Sequence, residues 1–196
     1  MRNNKINMIV GTAVLAAVVI VLQTVASGIR IGPFTITLSL VPIILGAVMY
    51  GPLSSTILGG VFGAVVTAAV ISGADAGGAM MFQENPILTI AICMVKALAA
   101  GFVAGVIANA LSKRGKTNTG VILAAIAAPI CNTGIFILGA SLFFMDVLKI
   151  WAGGEDILIY IFAGLIGFNF LIEVLVGLIM VPVIVQIIKA VKKIRR

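Results

Sequence analysis

The chain has 196 residues, 62% hydrophobic and 10% charged, with a mean hydropathy of +1.28. Soluble domains carry charge on about a quarter of their residues, so this composition excludes a water-soluble fold and describes an integral membrane protein with room for about six helices, at roughly 20 residues per span. The net charge of +7 does not describe a nucleic-acid surface either: Arg2 and Lys5, then Lys113, Arg114 and Lys116, then Lys189, Lys192, Lys193, Arg195 and Arg196 form three separate clusters with no folded surface to share.

Taken in order, the first apolar run reads as a span from about Asn7 to Ala26. It is too long for the core of a signal peptide, and its end lacks a convincing cleavage site. From Ile31 to Gly63 no charge interrupts the chain, yet Pro33, Pro42 and Pro52 and the hydroxyls of Thr35, Thr37 and Ser39 break helical regularity. Irregular backbone at membrane depth survives only where protein covers it or where it lines a cavity. Pro33 to Ser39 therefore predicts a re-entrant outer loop, followed by a short second helix from about Val41 to Tyr50. Gly51-Pro52 turns the chain, with Pro52 at the first helical position, and the third helix covers Leu53 to Ile71.

Ser72 to Asn85 reads as a loop long enough to be a lid, carrying glycines, Asp75, Glu84 and Met80-Met81-Phe82-Gln83. Pro86 opens a fourth helix to about Leu111, a fifth runs from about Gly120 to Phe144, and Asp146 to Asp156 reads as an outer loop with an interfacial Trp151. The last span extends from Ile157 to about Ile188. All ten clustered basic residues then fall on one side, and Asp75, Glu84, Asp146, Glu155 and Asp156 fall on the other. The expectation is an all-α membrane protein, a six-transmembrane-helix bundle forming one domain over 1–196, with both termini cytoplasmic by the positive-inside rule.

Catalytic and metal signatures are missing. The chain has no histidine and two cysteines, Cys93 and Cys131, both in apolar runs where they behave as small hydrophobes. Arg114-Gly115-Lys116-Thr117 resembles the tail of a phosphate loop, but the first glycine of that motif would fall on Ala110 and no strand precedes it. The sequence thus predicts a protein that is not an enzyme, needs no cofactor or metal, and does not drive transport with ATP by itself.

Polar residues inside the spans are the remaining signal. Lys96 lies about ten residues into the fourth helix, where an unpaired Lys costs roughly 2.5–3.5 kcal/mol, and Glu173 is the other ionisable residue at such depth. They pair to pin two helices, or Lys96 meets an anionic ligand group while Glu173 orients it. Asn132 and Asn169 are amides among apolar neighbours. With Gln83, Asn85, Thr35 and Thr37 they outline an outward-facing pocket, since an apolar cavity with a few convergent polar groups is what a small-molecule site requires. Small residues at helical spacing, Ala13/Ala17, Gly59/Gly63 and Gly101/Gly105, read as close-packing faces, the first of them open to another protein.

Several stretches in order carry a family likeness: Ala13-x-x-x-Ala17, Ile31-Gly32-Pro33-Phe34-Thr35-Ile36-Thr37, Tyr50-Gly51-Pro52-Leu53, Phe82-Gln83-Glu84-Asn85-Pro86, and Asn169 with Pro182. Over nearly its whole length the chain resembles the substrate-binding S component of energy-coupling factor vitamin transporters. The resemblance implies a bacterial cell-membrane protein that captures a vitamin from outside and topples in the bilayer to release it inward. Its partners would be a transmembrane coupling protein and two cytosolic ATPases, with Ala13 and Ala17 meeting the coupling protein. It extends the site to Phe34 and Phe82. The Ile31–Thr37 run and the Asn85-Pro86 start look most like the pantothenate type, in which an arginine is expected where this chain has Lys96; a carboxylate would suit Lys96 or Arg30. The alternatives are another vitamin (riboflavin, pyridoxine-type, folate) and a ligand-free membrane scaffold, with a solitary channel or carrier a third class; few aromatics line the predicted pocket, which disfavours flat-ringed thiamine and riboflavin.

Overall fold

The computed structural model describes residues 2–26, 30–31, 34–35, 37–163 and 170–194. It is a helical bundle: α1 (Arg2–Ala26), α2 (Leu40–Tyr50), α3 (Pro52–Ile71), α4 (Ala76–Glu84), α5 (Pro86–Lys113), α6 (Thr117–Phe143), α7 (Met145–Ala152), α8 (Ile157–Ile159) and α9 (Leu171–Ile194). Between α1 and α2 a minimal antiparallel hairpin, β1 (Arg30–Ile31) and β2 (Phe34–Thr35), pairs Arg30 with Thr35 and Ile31 with Phe34. The helix after α8 widens into π-type turns over Tyr160–Ala163.

Five helices, α1, α3, α5, α6 and the α9 stretch Leu171–Val191, are long and apolar enough to cross a membrane. The 11 residues of α2 cover about 16 Å at 1.5 Å each, half of the roughly 30 Å a span must cross. It runs antiparallel to α1. At its start Ser39 Oγ donates to Gln23 Oε1 at 2.9 Å, and at its end Tyr50 lies against Gly11. Pro52 begins α3 as expected, after Gly51 at φ +91°, a conformation glycine adopts without penalty.

Two expected loops contain helices. The stretch from Ser72 to Asn85 folds into α4, because Asp75 supplies an N-cap, accepting from Gly78 N–H at 2.9 Å, and the Gly73 turn at φ +76° lets the chain double back. The outer segment Asp146 to Asp156 is mostly α7. Its Val147, Leu148 and Ala152 are buried, whereas Asp146 and Lys149 pair on the surface at 2.8 Å. Apolar residues at this spacing make one face of a short amphipathic helix, and Gly153 in the left-handed region closes it.

Where α3, α5 and α6 meet, away from α4 and α7, the bundle packs through small residues. α5 packs most extensively on α3 and α6, and its buried Ala97, Ala100, Gly101, Ala104, Gly105 and Ala108 let backbones touch. A methyl group on Gly59 would fall on the carbonyl oxygen of Ala97, and one on Gly101 on that of Ser55. In α6, Pro129 removes the N–H that would bond the Ala125 carbonyl, and Gly177 of α9 packs there, its absent methyl only 3.1 Å from that oxygen. The glycine pairs of α3 and α5 are therefore packing sites. The face carrying Ala13 and Ala17 is exposed on α1, alongside Ile9, Val10, Val14 and Val21.

Candidate functional site

Toward the end of the bundle where α4 and α7 lie, the small-residue packing gives way to a polar cavity of ≈ 60 Å³. Its deep wall comes from Phe62 and Val66 of α3; its sides come from Thr89, Cys93 and Lys96 of α5, Asn132, Thr133 and Phe136 of α6, and Glu173 of α9. Gln23 at the end of α1 and Thr37 just before α2 complete the ring, and Asp75, Gly78 and Met81 of the α4 segment close it over. Lys96 stands ten residues into α5, about 15 Å below its first residue. This volume holds a few water molecules, whereas sites for small ligands run to about 300–1,000 Å³, so a ligand of vitamin size requires a wall to move.

Glu173 is 3% exposed, and its Oε2 accepts from Thr133 Oγ1 at 3.1 Å. Thr37 and Asn132 also offer it hydrogen bonds, and the Lys96 charge acts on it. Lys96 does not close onto it, however. The one ion pair among the described residues is the exposed Lys149–Asp146 contact, and the Lys96 ammonium instead sits 4.7 Å from the centroid of the Phe136 ring. A ring face offers a cation about 0.5–2 kcal/mol and leaves the other hydrogens of the ammonium available. The carboxylate and the ammonium thus share one cavity without neutralising each other by contact.

Asn132 is the most informative neighbour. It is 4% exposed, and its Oδ1 has no hydrogen-bond partner among the described residues. A buried polar atom left unpaired costs about 1–3 kcal/mol, a cost a ligand donor would remove. The arrangement can therefore bind a small molecule bearing an anionic group for Lys96 and N–H or O–H donors for Asn132 Oδ1 and Glu173. Among the described residues no group of three or more His, Cys, Asp or Glu side chains could hold a metal ion.

Of the residues expected from the sequence, the structure brings Thr37, Lys96, Asn132 and Glu173 to this cavity. Three others are placed elsewhere: Phe82 packs against the main apolar core, Gln83 is exposed, and Asn85 caps α5 by accepting from Leu88 N–H at 3.1 Å. The side chains of Arg30, Phe34 and Thr35, and Asn169 altogether, lie outside the described residues. Gln23 and Thr133 line the cavity unforeseen. Each is an uncharged polar residue inside an apolar run, Thr133 directly after Asn132, a signal too weak to separate from ordinary helix packing.

A protein-family model described as ECF transporter, substrate-specific component, matches residues 7–185 of the chain. No curated protein and no solved structure matches it.

Proposed function

The chain belongs to the family of ECF transporter substrate-specific components, and from that premise we propose that the polar cavity beneath α4 captures a small water-soluble vitamin from outside the cell. Membership already makes the protein a multi-pass membrane subunit that binds a transport substrate and works with a module of membrane protein and ATPases; it is not itself an enzyme. The finer reading is a single membrane domain in a bacterial cell membrane, its termini in the cytoplasm with the basic clusters. Uptake requires a transmembrane coupling protein and two cytosolic ATPases, and the whole subunit topples to deliver its cargo inward.

One observation carries the ligand reading: Asn132 Oδ1, buried and without a hydrogen-bond partner among the described residues, faces the same cavity as Lys96 and Glu173. Pantothenate satisfies this set, offering a carboxylate to Lys96 and an amide N–H and hydroxyls to Asn132, Glu173, Thr37 and Thr133. Arg30, Phe34 and Thr35 of the hairpin and Asn169 are proposed as further contacts. Phe136 and Phe62 are the aromatic side chains lining the described cavity, and Phe136 is engaged by Lys96, which disfavours flat-ringed vitamins that need stacking partners.

The test is thermal unfolding of the purified protein against a panel of vitamins. A ligand at a hundredfold its dissociation constant adds about 2.7 kcal/mol, and pantothenate is expected to raise Tm by several degrees while thiamine and riboflavin do not. Stabilisation by a different vitamin would reassign the ligand. No stabilisation by any would leave a ligand-free scaffold as the better reading.

A further inference from the structure

A cavity of ≈ 60 Å³ opens only if a wall yields, and the physical character of the walls identifies which. The α3, α5 and α6 walls are long helices in backbone contact. The α4 wall is nine residues long, hinged at one end by the Ser72–Ala74 turn with Gly73 at φ +76° and bounded at the other by the extended Asn85. It packs on α3 and α5, and its later turns also join an apolar cluster that α7 shares. Met81 is 1% exposed and belongs to a second apolar cluster with Phe144, Val147 and Leu148, the cluster that also packs Met80 and Trp151. From the last turn of α7, Trp151 donates its indole N–H to Met80 Sδ at 3.3 Å.

We infer that α7 is the clasp of the lid: the apolar cluster that Met80 and Met81 share with α7, fastened by the Trp151–Met80 contact, sets how often α4 lifts from the cavity. Trp151 is a positioning residue, since it lines no part of the cavity. The sulfur contact is weak enough to break repeatedly, at about 0.3–1.5 kcal/mol for a sulfur beside an aromatic ring, while the apolar seat returns the lid to the same place. Substrate access is therefore governed from a helix 60 residues away from α4 in the chain, roughly, and separable from the groups that hold the ligand. The inference rests on the reading that this cavity takes the substrate, but its test needs no substrate.

Cys93 lines the cavity and is 5% exposed, so it reports each opening to a small water-soluble methanethiosulfonate reagent; Cys131, half-buried on α6 and outside the cavity, is the internal control. The full-length protein in lipid nanodiscs is labelled and both peptides are followed by mass spectrometry. Trp151→Phe, which keeps the ring and removes the donor, is expected to speed Cys93 labelling roughly fivefold, the equivalent of one ordinary hydrogen bond, and Trp151→Ala further still, with Cys131 unchanged. An unchanged Cys93 rate in Trp151→Phe and in Met80→Leu overturns the clasp, as does a rise at both cysteines, which marks loosening of the whole bundle. Failure here leaves vitamin binding standing, and absence of vitamin binding leaves the labelling result intact.

Discussion

Lys96 and Glu173 are two ionisable groups in one apolar bundle that do not form an ion pair, and that separation leaves both open to a ligand. A closed pair would spend both charges on holding α5 to α9; here the ammonium rests on Phe136 and the carboxylate on Thr133. If Lys96 holds the ligand as proposed, replacing it by Met removes a charge-assisted hydrogen bond, about 1.5–3 kcal/mol, so vitamin affinity measured by calorimetry is expected to fall by one to two orders of magnitude. The ligand-free protein is expected to keep or gain Tm, because a lysine at membrane depth is itself unfavourable. Unchanged affinity would return Lys96 to a purely structural role. At this scale the sequence was legible where polarity contrasted sharply with surroundings: Lys96, Asn132 and Glu173 stand out in apolar helices. Gln23 and Thr133 did not, because a lone amide near a helix end, or a hydroxyl that can bond its own backbone, looks the same whether or not it faces a cavity. Phe82, Gln83 and Asn85 were selected by motif, and a motif records order along the chain, not the direction of a side chain. Asn85 shows the difference, since its amide is occupied as a helix cap.

Long apolar runs between turn signals were read to within a few residues: α3, α5 and α6 begin and end close to expectation, with Pro52 and Pro86 opening their helices. The short α2 was expected, but two other short helices, α4 and α7, were missed. α4 contains Gly77 and Gly78 and is too brief to show a helical period, and α7 has only two turns, so both looked like polar connections. Burial of Met81 and of Val147 and Leu148 in a shared cluster stabilises them as helices, and that is a tertiary effect no local propensity reveals. The small-residue faces were legible because close helix approach demands small side chains at four-residue spacing. They carry a prediction. Gly101→Ala forces a methyl onto the Ser55 carbonyl of α3, backbone that cannot rotate away, and is expected to cost about 1–3 kcal/mol. Gly134→Ala, on α6 with open space around it, gains helix propensity worth up to about 1 kcal/mol. Thermal unfolding of the two variants side by side is expected to give Tm changes of opposite sign; a neutral Gly101→Ala would refute the backbone contact.

Across the whole molecule, the proposed function assigns work to two surfaces. The cavity is built from the interior faces of α1, α3, α5, α6 and α9, while the Ala13/Ala17 face of α1 looks outward among exposed Ile9, Val10 and Val14. Only a small share of the apolar stretch of α1 is buried in the bundle, 17%, so this helix has surface to spare for a partner as well as for lipid. Replacing Ala13 and Ala17 with Trp is expected to leave vitamin affinity of the isolated subunit unchanged and to bring vitamin uptake down to background in cells that supply the coupling module. Loss of binding as well would mean that the face serves the bundle's own packing. The membrane class followed from composition alone, and the family from stretches spread along the chain; the identity of the ligand did not, because it depends on the spacing between polar groups contributed by α1, α5, α6 and α9 and by the segments before α2 and α4.

The glycine and alanine packing between α3, α5 and α6 has a consequence for the direction of travel. Below the cavity the chain presents main chain against main chain, with Ala97 and Ser55 carbonyls abutting Gly59 and Gly101. Where α3 and α5 meet in this way there are no long side chains to swing aside, so parting them would mean separating whole helices. On the proposed uptake reading, cargo leaves through the mouth by which it arrived and reaches the other compartment only when that mouth is carried there.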